Sequence, residues 1–288
     1  MSEIITLRNG DAVCQISTKG AEIQSLTVNG EEKIWQGQEE FWKGKAPILF
    51  PVCGRLLDGY YNFEGNSYQM KAHGFFRNSE TVVVNQEKST ATFLLEASEE
   101  TLKIYPFKFK FRVMYKLSNC SLAVYFFIEN HSDKVMYYSV GCHEGYALKG
   151  DLSEYYIRFE DDTNKIVRSV YEDNFTTNKT EEVMLYENRL KLTDFFKKEN
   201  YGDSLAVSSI KSKKVTLMHG DEEELSVYYN DFENLILWTQ FGAKFICIEP
   251  WNGIPDAIDG DHALENKLAI KKLEPNSAVS FYHNITIY

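Results

Sequence analysis

Long apolar runs are missing from this chain of 288 residues. No stretch approaches the roughly 18 consecutive apolar residues that a membrane-crossing helix requires. The opening residues, MSEIITLRNGD, lack the basic and apolar segments of a secretory leader. Cysteine is scarce: Cys14, Cys53, Cys120, Cys142 and Cys247 make five, an odd number, with no CxxC pair. That excludes a zinc-finger spacing and a disulfide scaffold, and the expectation is a cytoplasmic protein with reduced thiols. Positive charge is in deficit, the formal net charge being -11. No basic stripe exists to neutralise phosphates, so nucleic acid and anionic membranes are excluded as partners. Helical periodicity is thin, with residues 182–198 holding at most a turn or two. No Pro/Gly/Ser linker and no internal repeat divides the chain. The motif inventory is also empty of a Walker loop, GxGxxG, HExxH and GxSxG.

What is abundant is aromatic and alternating. Aromatics reach 14%, with 18 Tyr and 19 Phe, side chains that suit both pleated sheets and sugar clefts. Phe107, Phe109, Phe111, Val113, Tyr115 and Leu117 occupy every second position and coat one face of a strand. After the turn 118–121, Leu122, Val124, Phe126 and Ile128 alternate again. Ala123, Tyr125 and Phe127 between them are apolar too, which predicts cover on both faces. The two rows read as a long hairpin. Further strand pairs flank turns at 18–20, 219–221 and 241–243, and the chain closes on an alternating row from Val279 to Ile287. The expectation is one all-β domain over 1–288, a large antiparallel β-sandwich.

Four segments place polar residues in unusual settings. In Pro47–Arg55 two prolines bracket an apolar run, and Gly54 lets the chain turn before Arg55, whose guanidinium can fork onto hydroxyls. Locally, Arg55 reads equally as a surface arginine ending a strand. In Lys71–Arg77, His73 stands against Gly74, where backbone and ligand can approach closely. In Ser139–Tyr146, His143 ends an apolar strand, and histidine titrates where proton transfer needs it. Taken locally, both histidines read as structural. In Phe245–Gly253, Glu249 ends a strongly apolar strand that Pro250 stops. Partial burial there raises the pKa of a carboxylate and improves it as a base. Here the functional reading leads, because a lone buried Glu is otherwise unfavourable. Trp251 offers a flat face for a sugar ring. His131, His219, His262 and His283 read as turn or core residues, and the acidic loop 259–261 does not match a calcium-binding pattern.

Taken in order, PILFPVCGR, AHGFFR, the central histidine and IEPW resemble the aldose 1-epimerase (galactose mutarotase-like) family, in the bacterial branch related to lactose and galactose operons. The resemblance covers nearly the whole chain. It implies the fold called a supersandwich and interconversion of the α and β anomers of a free aldose, with no cofactor and no metal. It implies His143 as proton donor to the ring oxygen and Glu249 as base at the C1 hydroxyl. It implies His73, Arg55 and Asp203 as substrate-binding residues. One departure stands out: relatives commonly carry proline after the central histidine, and this chain has Glu144. Two other readings stay open. One is a non-catalytic sugar-binding protein, motivated by Glu144. The other is a metal enzyme using His73, His143 and Glu249. Glucose, galactose and a phosphorylated hexose are all compatible substrates, and monomer and homodimer are both open.

Overall fold

The computed structural model describes residues 2–162, 164–197, 204–208 and 210–288. Two large sheets dominate. One has nine strands, in the spatial order Arg189–Lys191, Tyr155–Phe159, Lys214–His219, Glu222–Tyr228, Ala278–Ile287, Ser121–Asn130, Phe109–Leu117, Thr90–Glu96 and Val82–Gln86. The other has eight. Its path runs Phe175–Met184, Lys165–Glu172, Ser204–Ser208, Asn234–Trp238, Phe245–Trp251, Gly141–Cys142 and Ile48–Leu49, and Gly145–Ala147 pairs beside it with Phe245–Trp251. A four-stranded meander, Ile4–Asn9 to Glu31–Glu32, adds a smaller sheet. Every strand ladder among the described residues is antiparallel, so the sandwich architecture holds.

The predicted hairpin forms with Phe109 opposite Asn130 and Leu117 opposite Leu122. Phe109, Phe111, Val113, Tyr115 and Leu117 are buried on one face, as period-two alternation requires. They join Ile246, Ile248, Leu235 and Leu237 of the eight-stranded sheet in one buried cluster between the sheets. The opposite face of Ser121–Asn130 differs from expectation. Ala123, Tyr125 and Phe127 are only half-buried. No further layer is needed there, because Tyr125 stacks on Phe127 and Tyr282 while Arg112 lies over Phe127. Residues 182–197 hold one helical turn, Leu192–Phe195, beside the end of strand Phe175–Met184, a turn at 187–188 and strand Arg189–Lys191. No helix among the described residues is long and apolar enough to cross a membrane.

Candidate active site

Strand pairing brings His143 to Glu249. Strand Phe245–Trp251 pairs with Gly141–Cys142, Gly141 lying opposite Trp251, and with Gly145–Ala147, Gly145 lying opposite Cys247. Counting two residues inward from either pair sets His143 opposite Glu249. Directly opposed residues of an antiparallel pair share a face. His143 Nδ1 and Glu249 Oε2 accordingly lie 3.3 Å apart, with the Glu249 side chain 1% exposed. The same alternation turns Cys142, Glu144 and Tyr146 to the opposite face, into the core. Glycines at 141 and 145 leave room for indoles on either side of His143. A Cβ at 141 would sit 2.6 Å from Trp251 Cδ1, and one at 145 would sit 2.9 Å from the Trp42 ring.

The PILFPVCGR and AHGFFR segments are knitted together beside this pair. Gly74 lies against Phe50 and Pro51, joined by a cis peptide bond, and a Cβ there would meet the Phe50 carbonyl oxygen at 2.2 Å. With φ of 66° at His73 and 72° at Gly74, the chain turns through the left-handed region at both residues. The His73 amide donates to the Gly54 carbonyl at 2.8 Å, and the Gly54 amide donates to His73 Nδ1 at 3.2 Å. The second bond requires Nδ1 to be unprotonated, so neutral His73 carries its proton on Nε2. Its pKa is pushed down to about 3, first by burial and then by Arg77 and Arg55.

Side chains of both segments and of the eight-stranded sheet line a cleft of about 460 Å³. His143, Glu249, His73, Arg55 and Trp251 all line it, so five of the six residues singled out in the sequence come together. The sixth, Asp203, lies outside the described residues; its neighbour Ser204 lines the cleft. Trp251 departs from expectation. It is 5% exposed and its indole N–H donates to the Cys142 carbonyl at 3.0 Å, so it offers little open face. The available aromatic surfaces are half-buried Trp42, stacked on His143 at 4.8 Å, and Trp238. Neither was singled out, and nor was Arg77, which lines the cleft four residues after His73 in the quoted motif. Its place in HGFFR was the available signal.

Electrostatics meet expectation at Glu249 and depart from it at His143. Burial lowers the His143 pKa well below the usual range, with His73 and Arg77 adding to the effect. Burial raises the Glu249 pKa well above the carboxylate range, and Glu144 adds to that. Both shifts favour neutral forms, a protonated Glu249 beside a neutral imidazole. An ionised Glu249 beside a protonated His143 holds the same number of protons and differs by one transfer across 3.3 Å. The metal-enzyme ligand set is not assembled as expected. His73 Nδ1 is engaged by Gly54, and its ring centroid is 5.6 Å from that of His143. Among the described residues the groupings that could hold an ion are instead His143 with Cys247 and Glu249, and Cys142 with Glu144 and His283.

Comparison with known proteins agrees with this fold. The family model described as aldose 1-epimerase matches residues 3–261. The chain therefore belongs to the aldose 1-epimerase family and is an enzyme of the epimerase class. It is 28% identical to the chromosomal protein LacX of Lactococcus lactis subsp. lactis, across 98% of this chain and 99% of that one. A galactose mutarotase related enzyme from Lactobacillus acidophilus is 32% identical and superposes with a TM-score of 0.92, across 99% of this chain and 97% of its own. A galactose mutarotase-like protein from Lactobacillus casei gives 27% identity and a TM-score of 0.89, covering 99% of this chain and all of its own.

Proposed function

We propose that the protein interconverts the α and β anomers of a free aldohexose by opening and reclosing the ring. The opposition of His143 and Glu249 on one face of the sheet carries this reading. Ring opening needs the C1 hydroxyl to lose a proton while the ring oxygen gains one. Glu249, ionised after passing its proton to His143, takes the hydroxyl proton. His143 gives its proton to the ring oxygen. Rotation about C1–C2 presents the other carbonyl face, and reclosure reverses both transfers, so the pair is regenerated. Each transfer contributes roughly 10²–10⁴-fold. Neutral His73, donating from Nε2, holds a sugar hydroxyl, and Arg55 and Arg77 fork onto others.

Glu144 supplied the motive for a non-catalytic binder, and its side chain faces the core, away from the cleft. A phosphorylated hexose has a specific observation in its favour, the two guanidinium groups of Arg55 and Arg77 on one cleft. Polarimetry of freshly dissolved α-D-galactose, α-D-glucose and α-D-glucose 6-phosphate decides among these. Acceleration with a free sugar supports the reading. Acceleration confined to the phosphate moves it to the second substrate class, and saturable binding without acceleration contradicts it.

A further inference from the structure

Beside the proposed acid and base lies a third group that the reaction does not use. Cys247 and Glu249 are two residues apart on one strand and so point to the same face. His143 faces Glu249 from the neighbouring strand, and Gly145, opposite Cys247, adds no side chain of its own. One nitrogen, one oxygen and one sulfur thereby lie within 4.8 Å of one another. His143 Nδ1 and Glu249 Oε2 are buried and have no hydrogen-bond partner among the described residues, although only 3.3 Å separates them. That spacing has another meaning. Imidazole nitrogen and carboxylate oxygen sit roughly 2.0–2.2 Å from a tetrahedral zinc ion, so two such ligands are about 3.3–3.5 Å apart. A thiolate completes a donor set that zinc favours, with a fourth position left for water. The cleft provides the approach.

We propose that His143, Cys247 and Glu249 form a binding site for a thiophilic divalent ion of the Zn²⁺ type, and that its occupation switches the enzyme off. The second half rests on the catalytic reading above: Nδ1 and Oε2 cannot bind an ion and move protons at once. Binding displaces two protons to solvent, the Cys247 thiol proton and the one held by the His143–Glu249 pair, and no electron changes hands. Cys247 is not among the residues lining the cleft, so its replacement leaves the basal rate in place. The second cluster, Cys142 with Glu144 and His283, is buried on the other face of the same strands and serves as an internal control.

The test adds Co²⁺ to metal-free full-length protein and follows thiolate-to-cobalt absorption, then titrates the mutarotation rate with Zn²⁺. The expected result is one equivalent of Co²⁺ with a thiolate band that Cys247→Ser abolishes and Cys142→Ser keeps. Zn²⁺ inhibits the wild type and chelator restores it. Cys247→Ser needs more Zn²⁺ by a factor exceeding the roughly 10–100-fold lost when a group merely supporting a ligand is removed. A wild type without the band, a band that survives Cys247→Ser, or unchanged inhibition in that variant overturns the proposal. The cobalt spectrum reads the site even where no sugar tested is turned over, so failure of the catalytic reading is seen separately.

Discussion

His73, proposed to hold a sugar hydroxyl, also carries acid sensitivity. Its Nδ1 accepts from Gly54, and burial keeps the ring neutral down to about pH 3. Unfolded, the same ring takes up a proton near its ordinary value of 6.5. The unfolded chain therefore binds more protons between those two values, and stability is lost as pH falls from 6.5 to 3. The full effect is at most about 4–5 kcal/mol at roughly 1.4 kcal/mol per unit. Asparagine suits the test. It tolerates a φ of 66°, and its side-chain oxygen can accept from Gly54 as Nδ1 does. His73→Asn is expected to unfold in urea with a visibly flatter pH dependence below 6.5 than the wild type; an unchanged slope contradicts the account.

The proposed acid–base pair makes a second prediction at this scale. Its working form holds one proton. The depressed His143 resists a second proton on the acid side, and the raised Glu249 resists losing the last on the basic side. The pH profile of kcat/KM is then a bell with a broad top extending beyond both 4.5 and 6.5, the ordinary values of the two groups. A narrow bell confined between those values would mean that burial does not govern the pair. Glu249 was legible in the sequence because a carboxylate ending an apolar strand has few bland explanations. Trp42 and Trp238 were not, since an isolated aromatic in a sheet protein reads as core until the register is known.

Among elements, strand register does most of the positioning. The alternating rows were legible because solvent and core impose a period of two on any half-buried strand. The meeting of residues 143 and 249 was not, because ladder partners separated by a hundred residues leave no local mark. Glycines 141 and 145 mark it indirectly, as small residues on the functional face. Gly141→Ala puts a methyl 2.6 Å from Trp251 and 3.0 Å from Cys53 Sγ. Such overpacking destabilises by about 1–3 kcal/mol. The variant is expected to lose activity as Trp251 is displaced, measured as a fall in kcat together with a lower urea midpoint.

Glu144 is the element-level surprise. It meets His283 of the nine-stranded sheet, Oε1 to Nε2 3.1 Å, with both side chains buried, and so joins the two layers behind the active site. His283 was legible as a core position; its partner was not, because contacts between sheets follow no spacing along the chain. Removing one member of a buried pair leaves the other uncompensated, at a cost of about 3–5 kcal/mol. Glu144→Ala is expected to lose that much stability by urea unfolding, whereas Glu144→Gln, keeping volume and an acceptor, loses less. Equal losses contradict the pairing.

For the whole molecule, both large sheets contribute to one buried cluster that also takes in Leu7, Cys14 and Ile16 of the meander. A core shared this way couples the layers, and calorimetry is expected to show one cooperative transition over the entire chain. Two separated transitions would contradict a single folding unit. On that scaffold the strand register holds His143 and Glu249 against one cleft, and the proposed ring opening depends on their acting as an acid–base pair. The measurement that tests this most directly is anomeric exchange of D-galactose and D-glucose by magnetisation-transfer NMR, with wild type, Glu249→Gln and His143→Gln compared at matched sugar occupancy. The account predicts exchange accelerated by the wild type and slowed at least about 10²-fold in either variant, with sugar binding retained. Exchange that persists in Glu249→Gln at the wild-type rate would contradict it.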